Sequence, residues 1–86
     1  MTLLYTKSFL KSVKKFPENI QEKLSDQLEV FQQNPFHSLL HTKTLTGKLL
    51  GFYSFRITRN WRVIFKFEDQ KTILLTQAGN RKDIYK

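Results

Sequence analysis

The sequence contains no cysteine. Disulfides and zinc–thiolate sites are therefore excluded, and nothing points to an oxidising compartment. Its three glycines, Gly47, Gly51 and Gly79, are isolated, so there is no glycine-rich phosphate loop. No stretch approaches the roughly 20 apolar residues of a membrane span. The N-terminal patch from Met1 to Leu10 lacks a signal-peptide core, and the expected location is the cytoplasm, with no membrane partner. Acidic residues are scarce, seven against fifteen Lys and Arg. No carboxylate cluster is available to hold magnesium. The two histidines, His37 and His41, have no carboxylates at metal-ligand spacing. No Ser-His-Asp arrangement is legible either. Neither a metal nor a cofactor is expected.

What the chain does have is positive charge and aromatic bulk. The net charge is +8, and eight of the 86 residues are Phe. The length implies one domain over residues 1–86, and a hydrophobic fraction of 40% is enough for a compact core without staples. The charge is uneven. Residues 1–35 carry five Lys against four acids, whereas residues 36–86 carry six Lys and four Arg against three acids. The second part, at net +7 against +1, is the part expected to face a polyanion.

Periodicity divides the chain the same way. Thr2 to Thr6 reads as a short strand. Phe9, Leu10, Val13 and Phe16 have helical spacing over residues 7–16, with Thr6 as N-cap and Lys7, Lys11, Lys14 and Lys15 on the solvated face. Pro17 suits the first turn of a second helix, with a stripe of Ile20, Leu24, Leu28 and Phe31 that ends at Asn34-Pro35. Residues 36–50 read as a loop. Residues 52–58, 61–67 and 72–78 are rich in aromatic and β-branched residues and are separated by hairpin-length turns. The order βααβββ predicts an α+β fold, a two-helix hairpin packed on an antiparallel sheet. A basic tail, Asn80 to Lys86, follows.

Strand alternation sorts the side chains. Tyr53, Phe55 and Ile57, with Val63, Phe65 and Phe67, should face the helices. Arg56, Arg62 and Lys66 should then lie on the uncovered face, with Arg81 and Tyr85 of the tail within reach. Several cations beside an aromatic suit a phosphate backbone and an unstacked base. RNA can be cut without a metal, because its own 2′-hydroxyl attacks the adjacent phosphate. The protein then aligns the attack, moves two protons and stabilises the added charge, the last by bidentate arginine contacts.

Two segments carry a resemblance. Leu45-Thr46-Gly47 and the run from Gly51 to Phe65 look like the central segment of the RelE/ParE toxin superfamily, similar in spacing to its YoeB and YafQ branches. The ending Gly79-Asn80-Arg81-Lys82-Asp83-Ile84-Tyr85 resembles the Gly-x-Arg-x-x-x-Tyr tail of that superfamily. The resemblance implies a RelE-like fold and the toxin of a type II toxin–antitoxin pair, a ribosome-dependent mRNA endonuclease. A ParE-type gyrase inhibitor on the same scaffold is the alternative. The implied partners are a cognate acidic antitoxin, mRNA in the ribosomal A site and ribosomal RNA.

By the same resemblance Arg62 matches the arginine at the scissile phosphate, Arg81 the tail arginine and Tyr85 the C-terminal tyrosine. Arg56 stands where related toxins have an arginine or a histidine. Lys43 takes the place of a catalytic glutamate in the YoeB branch, and the base is left open between Lys43 and Lys48. His41 is a further candidate base, because histidine titrates near neutral pH; His37 is a weaker one. Lys48, Arg59, Trp61, Lys66 and Lys82 are the expected RNA contacts.

Overall fold

The computed structural model describes residues 1–85. A short strand, β1 (Thr2–Tyr5), leads into two helices, α1 (Lys7–Lys14) and α2 (Glu18–Gln33). A short strand β2 (Lys43–Thr44) follows, flanked by 3₁₀ turns at Ser38–Leu40 and Gly47–Leu49. Then come β3 (Tyr53–Arg56), β4 (Trp61–Phe67), β5 (Thr72–Asn80) and a one-turn helix α3 (Arg81–Ile84). The sheet order is β1-β5-β4-β3-β2, and the class is α+β, as expected.

The meander β3–β4–β5 is antiparallel, but β1 joins β5 in parallel, so the sheet is mixed. β1 lies at the sheet edge and is separated from β5 along the chain by both helices and three strands, so no hairpin links it to its neighbour. Residues 36–50 are also more ordered than a plain loop, because Lys43 and Thr44 pair with Ser54 and Tyr53. What reads as a tail is partly strand and partly helix: β5 continues through Gly79, and Asn80 caps α3 by accepting a bond from the Lys82 N–H. Lys86 of that tail lies outside the described residues. Among the described residues no helix is long and apolar enough to cross a membrane.

One layer of the fold is the core. Thr6 caps α1 by accepting from the Phe9 N–H at 3.0 Å, and its hydroxyl donates to the Thr76 carbonyl at 2.8 Å. The start of α1 is thereby tied to β5. The Gln21 amide donates to the carbonyls of Val13 and Phe16, locking α2 to the end of α1. Phe9, Ile20, Leu24 and Phe31 from the helices then meet Phe55, Val63, Phe65, Ile73 and Leu75 from the sheet. The Phe31 ring lies 4.6 Å from that of Phe55 and 4.8 Å from that of Phe65.

Candidate functional site

The expected strand parity holds where it matters. Arg56 and Arg62 are direct partners across β3 and β4, and Arg62 faces Gly79 on β5. Lys43, Ser54, Ile64 and Gln77 form the adjacent row on the same face. The two rows are two residues apart, or roughly 6.6 Å.

That face is not bare, which corrects the expectation of an uncovered surface. Arg62 is only 7% exposed. Its Nη2 donates to the Arg59 carbonyl at 3.2 Å. The Nε atoms of Arg56 and Arg62 are both buried without a hydrogen-bond partner, and neither arginine has an ion pair with a carboxylate among the described residues. Buried cations are normally paired, yet Arg62 has no carboxylate partner among the described residues.

Two concavities flank it. The larger, about 580 Å³, is lined by Lys43, Thr46, Lys48, Gln77, Ile84 and Tyr85, among others. Gly47 and Gly51, at φ +65° and +93°, shape the turn that presents Lys48, and both need the left-handed freedom of glycine. Tyr85, 38% exposed, is one of the residues lining this larger concavity. The smaller concavity, about 230 Å³, is lined by Lys23, His41, Arg56 and Arg59 together with Gln27, Leu39, Ile57 and Thr58.

The sequence-predicted residues therefore separate. Lys43, Lys48 and Tyr85 share one groove, and Arg56, Arg59 and His41 share the other, with Arg62 beside Arg56. His41 does not line the groove that holds Lys43. His37 is exposed and turns its Nδ1 inward on its own turn, accepting from the Leu39 N–H. Arg81 and Lys82 are exposed on α3 and line neither concavity.

Two expected RNA contacts, Trp61 and Lys66, line neither concavity. Trp61 lies on the helix side, its ring 4.7 Å from Phe16, because its position in β4 points it into the core layer. Lys66 does share the face of Arg62, but it sits four residues along, roughly 13 Å away. There it pairs with Glu68 at 3.7 Å and lies over the Phe52 ring.

Lys23, Gln27 and Gln77 are among the lining residues that were not anticipated. Gln27 had a legible signal: it falls on the apolar stripe of α2, three residues after Leu24 and four before Phe31. It is buried, and its amide donates to the carbonyls of Arg56 and Leu39. Lys23 and Gln77 had none, since only tertiary packing brings them to the site. Among the described residues no group of three His, Cys, Asp or Glu is placed to hold a metal.

Residues 5–76 match the family model described as the RelE-like toxin of the type II toxin–antitoxin system HigB. The chain belongs to this HigB-like, RelE-type toxin family. The match takes in Lys43, Arg56 and Arg62, whereas Arg81 and Tyr85 lie beyond it. Solved structures agree on the RelE-like fold. YafQ from E. coli strain BL21(DE3) superposes with a TM-score of 0.82 at 18% identity, covering 98% of this chain and 97% of that one. A YoeB/ParE toxin from Agrobacterium tumefaciens gives 0.79 at 22% identity, covering 94% and 99%. The RelB–RelE antitoxin–toxin complex from Methanococcus jannaschii gives 0.76 at 25% identity, covering 95% and 94%. No curated protein matches the chain. Within this HigB-like toxin the arginine pair and the two concavities are the features on which a function can be argued.

Proposed function

We propose that this HigB-like toxin is an endoribonuclease that cuts mRNA at the ribosome and so stops translation. The single observation that carries this reading is the Arg56–Arg62 pair, two arginines opposite one another across β3 and β4 with buried, unpartnered Nε atoms and no carboxylate partner among the described residues. An RNA phosphate supplies the anion such a pair lacks. In the reaction the 2′-oxygen forms a bond to phosphorus as the bond from phosphorus to the 5′-oxygen breaks. The products are a 2′,3′-cyclic phosphate and a 5′-hydroxyl. Negative charge grows on the non-bridging oxygens, and Arg62, with Arg56 beside it, stabilises it there.

The groove next to the pair holds the groups for the proton transfers and for the base. Lys43 or Lys48 takes the 2′-hydroxyl proton, and the departing 5′-oxygen takes up a proton from the other lysine or from water. Tyr85 offers a ring on which an unstacked base can lie. Arg81 and Lys82, exposed beside this groove on α3, add long-range attraction for RNA. The whole 86-residue chain acts as one toxin domain in the cytoplasm. At net +8 it is held inactive by a small acidic antitoxin; the solved structure from Methanococcus jannaschii is a RelB–RelE antitoxin–toxin complex.

Brief induction without the antitoxin is expected to cut incorporation of labelled methionine before that of labelled thymidine. The reverse order, with translation intact while DNA synthesis fails, overturns the nuclease reading in favour of gyrase inhibition.

A further inference from the structure

The smaller concavity is a separate cationic site. It is walled by α2, the 3₁₀ turn at Ser38–Leu40 and the end of β3, and neither Arg62 nor any residue of the larger groove lines it. Lys23, Arg56 and Arg59 bring three cations to it, His41 adds a ring nitrogen, and no carboxylate among the described residues lines it. Like charges gathered without a counter-charge destabilise a fold, so an arrangement of this kind calls for a bound anion. The Nε of Arg56 is buried without a partner, a polar group still short of one bond.

The walls are held rigidly. The buried Gln27 amide spans from α2 to the Arg56 carbonyl at 3.1 Å and the Leu39 carbonyl at 3.4 Å. His41 has φ +50°, the one non-glycine residue with positive φ among the described residues. This left-handed backbone is uncommon for a side-chain-bearing residue, and here it ends the 3₁₀ turn with the His41 N–H donating to the Ser38 carbonyl. Glycine or asparagine is the usual occupant of such a cap. Histidine here brings a hydrogen-bonding ring to a wall that already carries three cations.

We propose that this concavity binds a second RNA phosphate, one that is not cut, with Lys23 and His41 as its distinctive ligands and Arg56 shared with the reactive pair. The proposal rests on the endoribonuclease reading for the identity of its ligand. The phosphate belongs either to the mRNA strand beside the cleaved position or to ribosomal RNA, and the two sources are separable.

The test uses the full-length toxin and the variants Lys23→Ala and His41→Gly, since Gly preserves the left-handed turn. Lys14→Ala on α1 removes the same charge from a solvated face and serves as the control. Cleavage is measured on ribosomes programmed with mRNA. Binding is measured against a single-stranded RNA carrying a 2′-deoxy cut site, and against vacant ribosomes, over a range of salt. Loss of one charge-assisted contact is expected to raise KM about tenfold with kcat retained. The slope of log affinity against log salt should fall by about 0.7 for single-stranded RNA. Weakened binding to the RNA strand assigns the phosphate to mRNA, and weakened binding to vacant ribosomes alone assigns it to ribosomal RNA. If the parent cleaves and both variants match Lys14→Ala in all three assays, the second site is wrong and the nuclease reading stands. If the parent does not cleave, the nuclease reading fails, and the two binding assays still decide the site. A parent that binds neither RNA nor ribosomes overturns both.

Discussion

Arg62→Ala is expected to lower mRNA cleavage on programmed ribosomes by roughly 10²–10³-fold, the usual cost of removing one preorganised charge contact from a transition state. Arg62 is buried beside Arg56, with one hydrogen bond from Nη2 to the Arg59 carbonyl and none from Nε. Its fork is therefore held in place yet still short of acceptors. Arg62→Lys should recover only part of the rate, because one ammonium cannot make the bidentate contact. The same burial sets the expectation for stability. A buried cation with no carboxylate partner contributes little to folding, and replacing a buried ion by an apolar side chain of similar volume is often neutral or stabilising. Arg62→Met should thus unfold at a temperature no lower than the parent while being inactive. Folded Arg62→Ala cleaving within a fewfold of the parent would move the active centre away from the arginine pair. An Arg62→Met that melts far below the parent would show that the guanidinium serves the fold.

Phe31→Ala is expected to have the largest effect on stability. Phe31 is fully buried on α2 and packs against the rings of Phe55 and Phe65, so it joins the helical layer to the centre of the sheet. Truncating a buried phenylalanine costs about 3–5 kcal/mol, out of the 5–15 kcal/mol typical of a whole domain. The variant should melt more than ten degrees below the parent or lose its cooperative transition. Phe36 is the comparison. It is 57% exposed and lies beside the rings of Tyr53 and Phe67, so Phe36→Ala should cost about 1 kcal/mol. Thermal denaturation followed by circular dichroism measures both. Equal losses for the two would contradict the placement of the core.

Local pattern was enough for the elements whose partners lie nearby in sequence. The period of α2, the alternation in β4 and the two hairpin turns read directly, and β4 runs from Trp61 to Phe67 as expected. The cross-strand meeting of Arg56 and Arg62 followed from the same alternation. The parallel pairing of β1 with β5 did not, because Thr2 meets Thr72 across seventy residues of chain and four strand residues carry no sign of direction. The two-residue strand β2 was too short for any period to show. Burial of Arg62 was hidden for a related reason. Parity places a side chain on a face, but what covers that face depends on how α3 and the loops fold back. Lys23 sits on a helix whose exposed side is otherwise acidic at Glu22 and Asp26, so nothing local distinguished it from a solvated lysine.

Purified toxin added to ribosomes carrying a defined mRNA, with primer extension across the A site and analysis of the new RNA ends, tests the nuclease assignment most directly. The account predicts a cut within the A-site codon that appears only when ribosomes are present, leaving a 2′,3′-cyclic phosphate and a 5′-hydroxyl. Intact mRNA under the same conditions, with DNA gyrase supercoiling inhibited instead, would contradict it.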